Sequence, residues 1–403
     1  LFLFSINTKV LESRLKDDWL LMQSVLKRKV YMQSRRSFIT AASLATAAVA
    51  TSQLPNIAMA QVKMEGTSDL SSLKEFNLPG KIGLGGVAAG NGFHENTDDQ
   101  IEQTLTGAWD AGMRYFDTSP FYGFGLSERR FGHFLFNKDR KDFVLSTKVG
   151  RIFQGDPNFK KDAASLWHGN LNFKYKYDYT ASGVRRSVED SLQRLGLSSI
   201  DFVFVHDLSP DTPDMGPRWL EYFEIAAKGA FPELTKMREE GIIKGWGMGV
   251  NTPDPILKSL EVADPDIMLV ATQYSLVDHE KALNKLFPAM QKKNVQAVIG
   301  APINAGFLAG KERFNYGPTI PAEMLEKRNK IEIIAKKYNV PLRTVALQFA
   351  AAHPIVYAVI PGSSTAQQAI ENAVSMAHRI PSALWKDLKN QKLIASDAPV
   401  PKI

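Results

Sequence analysis

The chain of 403 residues contains no cysteine. That excludes a disulfide scaffold, a cysteine nucleophile, thiolate zinc sites and Fe–S clusters. No metal site is assigned. A surplus of charge is also missing where a folded domain could use one. Of the formal net charge of +7, five units fall in residues 1–60, where Lys9, Arg14, Lys16, Lys27, Arg28, Lys29, Arg35 and Arg36 face only Glu12, Asp17 and Asp18. Residues 61–403 are left at +2, and a body so nearly neutral offers no clustered basic face for nucleic acid. The one alanine-rich apolar stretch near the start is too short and too poor in leucine for a stable membrane span. Internal repeats and low-complexity tracts are absent from the body. What is there, 44% hydrophobic and 23% charged residues, excludes wholesale disorder and supports one barrel-sized domain or two medium ones.

The basic excess belongs to a leader. Ser34-Arg35-Arg36-Ser37-Phe38-Ile39 resembles a twin-arginine export signal, followed by an Ala/Thr-rich stretch to about Thr51 and a small-x-small cleavage site at Ala58-Met59-Ala60. The bland alternative is a short amphipathic or disordered N-terminus. Met32 stands just before the arginine pair, so residues 1–31 are read as an upstream over-extension and 32–60 as the signal. Residues 61–80 are a linker and 81–403 the domain. The twin-arginine machinery is therefore an expected partner and the periplasm the expected destination.

From Lys81 onward, short β-branched and aromatic runs alternate with helical patterns. Strands are expected at Lys81–Gly85, Arg114–Asp117, Phe143–Lys148, Ile200–His206, Lys244–Val250, Ile267–Thr272, Val295–Ala301 and Ile355–Ile360. Helices are expected between them, the longest spanning Ala322–Ala352, with caps at Thr97 or Asp98 and at Thr365. Eight strand–helix units without a hairpin predict an α/β fold with a parallel sheet. A (β/α)8 TIM barrel fits roughly 300 residues, and a doubly wound open sheet is the rival. Three connections are long: Gly150–Tyr179, Asp207–Ala230 and Pro302–Pro321. In a barrel they gather at the C-terminal face, with Trp167, Tyr175, Tyr177, Trp219 and Phe307 as candidate substrate walls or simple loop anchors.

Polar residues sit at consecutive strand ends: Asp117, Lys148 and His206, with Tyr122 in the loop after Asp117. A buried lysine needs an anion, which Asp117 can supply. An ammonium beside Tyr122 is expected to depress the phenol from its ordinary value of about 10, giving an acid–base group usable near neutral pH. Each residue alone has a structural explanation; for four converging groups that explanation is the weaker account. Gly83-Leu84-Gly85-Gly86-Val87-Ala88 fits a G-x-G-x-x-A fingerprint. However, Gly90-Asn91-Gly92 keeps the chain in loop where a dinucleotide fold would open its helix. These small residues are read as room for substrate and cofactor against the first strand.

The segments Arg114–Ser119 with Tyr122-Gly123, Ser146-Thr147-Lys148 and Phe204-Val205-His206 resemble the aldo-keto reductases across about Lys81–Ala373. The resemblance implies Tyr122 as general acid/base, Lys148 tuning it, Asp117 holding Lys148, and His206 placing the substrate. It further implies a nicotinamide cofactor held by Asn251, Gln273, Ala301, Pro302, Ile303, Gly306 and Leu308. Pro361, Gly362, Ser363, Ser364, Gln368 and Asn372 would hold the adenosine end. Relatives that prefer NADPH place a Lys and an Arg where this chain has Gly362 and Gln368, so NAD is favoured over NADP.

Phe121–Arg130, Phe204–Asp207 and Gly300–Asn304 resemble the branch of D-threo-aldose (L-fucose) and pyridoxal dehydrogenases. The implied reaction is oxidation of a sugar at C1 to a lactone, or the reverse chemistry on an aldehyde, with a small sugar or aldehyde as substrate. Free NAD is scarce outside the cytoplasm, so the enzyme is expected to leave with its nicotinamide bound. Two other classes are carried: a non-catalytic nicotinamide-binding redox sensor, and a periplasmic sugar-binding barrel.

Overall fold

The computed structural model describes residues 80–402 apart from 161, 163 and 164. The expected export signal and nearly all of the expected linker lie outside the described residues. Eight parallel strands form one sheet: β1 (Gly83–Gly85), β2 (Tyr115–Asp117), β3 (Val144–Val149), β6 (Ile200–His206), β7 (Ile243–Val250), β8 (Ile267–Ala271), β9 (Gln296–Gly300) and β10 (Val356–Ile360). Bridges from Ile82 to Val359 and from Gly85 to Gly362 join the last strand to the first and close the barrel. This is the expected (β/α)8 fold, not the open sheet.

Barrel strands are buried on both faces, which explains their dense Val, Ile and Phe content. Side chains of alternate residues point into the lumen, where Tyr115, Phe202, Phe204, Ile267, Leu269, Val298 and Ile360 pack together. The other residues of each strand meet the surrounding helices, so Phe116, Leu145, Val203 and Val205 join the larger outer core. Thr97 and Thr365 cap their helices by accepting from the backbone N–H of Gln100 and Gln368.

Three features differ from the sequence expectations. The connection Gly150–Tyr179 contains an antiparallel hairpin, β4 (Arg151–Gly155) with β5 (Phe173–Tyr177). It lies outside the barrel sheet, so it did not disturb the count of eight. The expected helix Ala322–Ala352 is two helices, Ala322–Lys337 and Leu342–Ala352. Asn339 adopts φ 55° and Pro341 disfavours helical backbone at Val340, so the chain turns there. Helices Trp219–Lys228 and Ser382–Asn390 were not expected, the first lying inside the second long connection.

Candidate active site

The alternation that fills the lumen with Tyr115, Phe202 and Phe204 also decides where the polar strand ends point. Asp117 is two residues beyond Tyr115, Lys148 two beyond Ser146, and His206 two beyond Phe204. All three therefore enter the lumen at its C-terminal mouth. Asp117 pairs with Ser146 in the sheet and Lys148 with Phe204, so Lys148 stands one lumen layer above Asp117. Its side chain reaches sideways to donate to both Asp117 oxygens, at 3.0 and 2.8 Å, and to the Thr118 carbonyl at 2.8 Å. Ser146 Oγ donates to Asp117 at 2.7 Å and Tyr115 Oη to Ser146 at 3.0 Å, which holds the carboxylate from below. The Lys148 ammonium lies 4.5 Å from the centre of the Tyr122 ring, and that ring lies 5.8 Å from the imidazole of His206. The four residues expected to converge do so.

The electrostatics correct one expectation. Burial, reinforced by the Asp117 carboxylate, pushes the Tyr122 phenol well above its ordinary value. The Arg151 cation opposes that rise without reversing it. Burial pushes the Asp117 carboxyl up and the Lys148 ammonium down, while their mutual attraction opposes both. His206 is held well below the usual imidazole range by burial and by the cations Arg151 and Lys148. Near neutral pH the site therefore presents a neutral phenol and a neutral imidazole beside a buried ion pair.

A cavity of about 580 Å³ opens above these groups, within the range of small-molecule and cofactor sites. Asp117, Tyr122, Lys148 and His206 line its floor. Of the residues expected at a cofactor, Asn251, Ala301, Ile303, Gly306, Gly362, Ser363, Ser364, Gln368 and Asn372 also line it. Gln273, Pro302, Leu308 and Pro361 do not. Gln273 donates to the Val250 carbonyl at 3.0 Å, Leu308 is wholly buried in the outer core, and the Pro361 carbonyl accepts from Gly85 in closing the barrel. Pro302 sits in the turn after β9 without reaching the cavity wall. Trp167 lines the cavity as expected, but Trp219 packs against Phe223 and Phe307 is buried against Phe314 and Arg328.

The wall suits a nicotinamide dinucleotide. At one end, Asn372 Oδ1 is buried without a partner while its Nδ2 donates to Ser363, so the cavity wall carries an acceptor awaiting a donor. A Cβ on Gly362 would meet nothing closer than 3.8 Å, leaving open space for a ligand. Lys311 and Arg313 line the cavity beside Gly306, where phosphates need cations. Gly85, Gly86, Val87 and Ala88 form the opposite wall, as expected of the small residues on the first strand.

Several residues at the site carried no recognised signal in the sequence. Arg151 comes from the hairpin strand β4, and Tyr316, Arg343, Lys311 and Arg313 from loops or from a distant helix, where the logic of barrel-strand ends does not apply. Arg343 lines the cavity and is ion-paired with Glu371. The stretch Ser127–Arg130 is a frame for the site. Glu128, fully buried, accepts from Thr147 and Arg194, while Arg130 donates to Asn91 Oδ1 and to the Ala89 and Asn96 carbonyls.

Comparison with known proteins adds independent findings. Residues 81–391 match the Aldo/keto reductase family. The chain is 34% identical over 339 residues to D-threo-aldose 1-dehydrogenase of Pseudomonas sp, covering 82% of this chain and 99% of that protein. It is 35% identical over 326 residues to pyridoxal 4-dehydrogenase of Microbacterium luteolum, covering 78% and 94%. Among solved structures, the glycerol dehydrogenase of Gluconobacter oxydans superposes with a TM-score of 0.59 at 23% identity, over 82% of this chain and 96% of that one. An aldo/keto reductase from Klebsiella pneumoniae in complex with NADP and acetate gives 0.56 at 19% identity, over 80% and 95%. At these identities the two structures attest the fold.

Proposed function

Since this chain belongs to the aldo/keto reductase family, we propose that it is a nicotinamide-dependent dehydrogenase acting on the C1 carbon of a small sugar, or on an aldehyde in the reverse direction. The observation that carries this reading is the meeting of Tyr122, Lys148, Asp117 and His206 on the floor of one cavity. The similarity to D-threo-aldose 1-dehydrogenase and pyridoxal 4-dehydrogenase supports the substrate class.

When bound, the nicotinamide supplies a hydride acceptor or donor. The chain's own residues do the rest. Asn251, Ala301 and Ile303 would flank the ring; Gly306, Lys311 and Arg313 the pyrophosphate; Gly362, Ser363, Ser364, Gln368, Asn372 and Arg343 the adenosine. Tyr122 Oη gives its proton to a carbonyl oxygen during reduction and takes the hydroxyl proton during oxidation. The Asp117–Lys148 pair fixes the floor against which that ring packs. His206, neutral, offers the same substrate oxygen a hydrogen bond. Phe121 and Trp167 screen the oxygen from water.

For the cofactor, NAD is favoured. Gln368 Oε1 accepts from the Ser364 backbone N–H and brings no charge, and the Arg343 cation is already paired with Glu371. A 2′-phosphate would compete with that carboxylate. We place the enzyme in the periplasm with its nucleotide bound. Cell fractionation with assay of nucleotide released from the periplasmic protein checks this, and an empty, cytoplasmic protein would end it.

The test of the reading is turnover over a panel of aldoses, aldehydes and pyridoxal with NAD and NADP. At least one aldose or aldehyde should be converted, faster with NAD. The variant Tyr122→Phe should lose about 10²–10⁴-fold in kcat while still binding nucleotide. Equal turnover by that variant would contradict it.

A further inference from the structure

Arg151 opens the hairpin strand β4, three residues after Lys148, and its guanidinium is buried behind the catalytic floor. Aromatic faces enclose it: its central carbon lies 4.0 Å from the centre of the Phe121 ring, 5.0 Å from Tyr177 and 5.3 Å from Tyr175. It is ion-paired with Asp207 at 3.0 Å. Its Nη2 lies 3.3 Å from Tyr177 Oη, and its Nε is a buried donor without a partner. A buried cation with an orphaned donor contributes little to stability by itself, since desolvation offsets much of the attraction. What its position does achieve is contact with His206.

Arg151 Nη1 lies 3.4 Å from His206 Nδ1, and Ser119 Oγ lies 3.3 Å from the same nitrogen. Ser119 Oγ already accepts from the Phe121 backbone N–H, which leaves its own hydrogen to donate. A guanidinium can only donate. Nδ1 therefore faces donors on both sides and must be the acceptor. The other nitrogen, Nε2, lies 3.4 Å from Asp207 Oδ1, an acceptor. The donors at Nδ1 set the tautomer, and the Asp207 carboxylate near Nε2 favours it without a hydrogen bond that would occupy the Nε2 hydrogen.

We propose that Arg151 is a positioning residue that holds His206 as the Nε2–H tautomer, so that the imidazole donates to the substrate oxygen and leaves proton transfer to Tyr122 alone. Without the guanidinium, Nδ1 could carry the proton by turning Ser119 Oγ into an acceptor. The lone pair on Nε2 would then face the substrate oxygen and repel it. The charged and titratable groups around the ring are Arg151 and Asp207 on the hairpin side, Lys148 and Asp117 on the barrel floor, and Tyr122 on the loop. Tyr179 Oη donates to the His206 carbonyl at 3.1 Å and holds the backbone. The proposal rests on the dehydrogenase reading for its consequence, though not for its geometry.

The experiment has two arms. In the first, nitrogen-15 spectra of the imidazoles are recorded on the whole protein, with the His206 signals identified by their loss in His206→Gln. The wild type should show the Nε2–H pattern without titrating through the range where an ordinary imidazole gains its proton. In Arg151→Met the pattern should become mixed and titrate higher. Should that variant fail to fold, Arg151→Met/Asp207→Asn removes both charges of the pair and takes its place in this arm. An unmixed Nε2–H pattern in the folded variant would overturn the proposal.

In the second arm, Arg151→Met should lower kcat/KM for reduction by up to about 10²–10³-fold, the scale of losing one hydrogen-bond donor in a reacting site. In a His206→Gln background, whose amide donor needs no tautomer, it should add little further loss. An equal loss in both backgrounds would mark Arg151 as merely structural and overturn the proposal. The spectra need no substrate. Failure of Tyr122→Phe to abolish turnover would therefore sink the dehydrogenase reading without touching the tautomer, and the reverse also holds.

Discussion

In the proposed reaction Tyr122 carries the chemistry with a phenol whose proton is held tightly. The ammonium of Lys148 would draw that proton off if it stood alone, but the Asp117 carboxylate cancels it at 2.8 Å. Reduction needs the neutral phenol and oxidation needs the phenolate. Reductive kcat/KM should thus stay flat from about pH 6 to about pH 9, then fall in alkali. Oxidative kcat/KM should climb about tenfold per pH unit through the same range, without a plateau. Initial rates in both directions check this; an oxidative plateau near neutrality would show a depressed phenol instead. The pair also matters to the fold. Lys148→Met leaves Asp117 buried and unpaired, which should cost about 3–5 kcal/mol in denaturant unfolding. The identities of Asp117, Tyr122, Lys148 and His206 were readable because three end strands and the fourth follows within five residues. The direction of the phenol's shift was not readable, because it is set first by burial and only then by which charge lies nearer.

The first strand and its loop hold Tyr122 by close approach. A Cβ on Gly90 would lie 2.4 Å from the Tyr122 carbonyl carbon and 2.8 Å from the Gly123 nitrogen. Gly90→Ala must therefore displace the backbone that carries the catalytic phenol. It should lower kcat by about 10²-fold, the usual consequence of shifting a reacting group by about 1 Å, with nucleotide affinity in a fluorescence titration unchanged. Unaltered kcat would show that the loop yields elsewhere. The hairpin was partly legible: in Phe173-Lys174-Tyr175-Lys176-Tyr177 the aromatic and lysine residues alternate with the period of a strand. Its partner strand lies 17 residues earlier, beyond the reach of turn signals, so the pairing and the delivery of Arg151 were not. Pro341 marked the break in the long helical pattern, yet apolar periodicity ran through it.

For the whole molecule, alternating strand and helix patterns over about 300 residues were enough to expect a barrel, because parallel strands buried on both faces leave an unmistakable apolar run. The barrel then concentrates its polar strand ends at one mouth. Cavity walls drawn from loops, such as Tyr316 and Arg343, were not legible, since loop spacing does not encode where a chain returns. The central claim is that hydride and proton both pass across the floor formed by Tyr122, Lys148, Asp117 and His206. The most direct measurement is a single turnover with reduced nicotinamide deuterated at its transferring carbon and an aldehyde or aldonolactone as acceptor. The account predicts deuterium on the former carbonyl carbon of the product, arriving about 10²–10⁴-fold more slowly when Tyr122→Phe binds the same nucleotide. Deuterium lost to water, or transferred at the same rate by that variant, would contradict it.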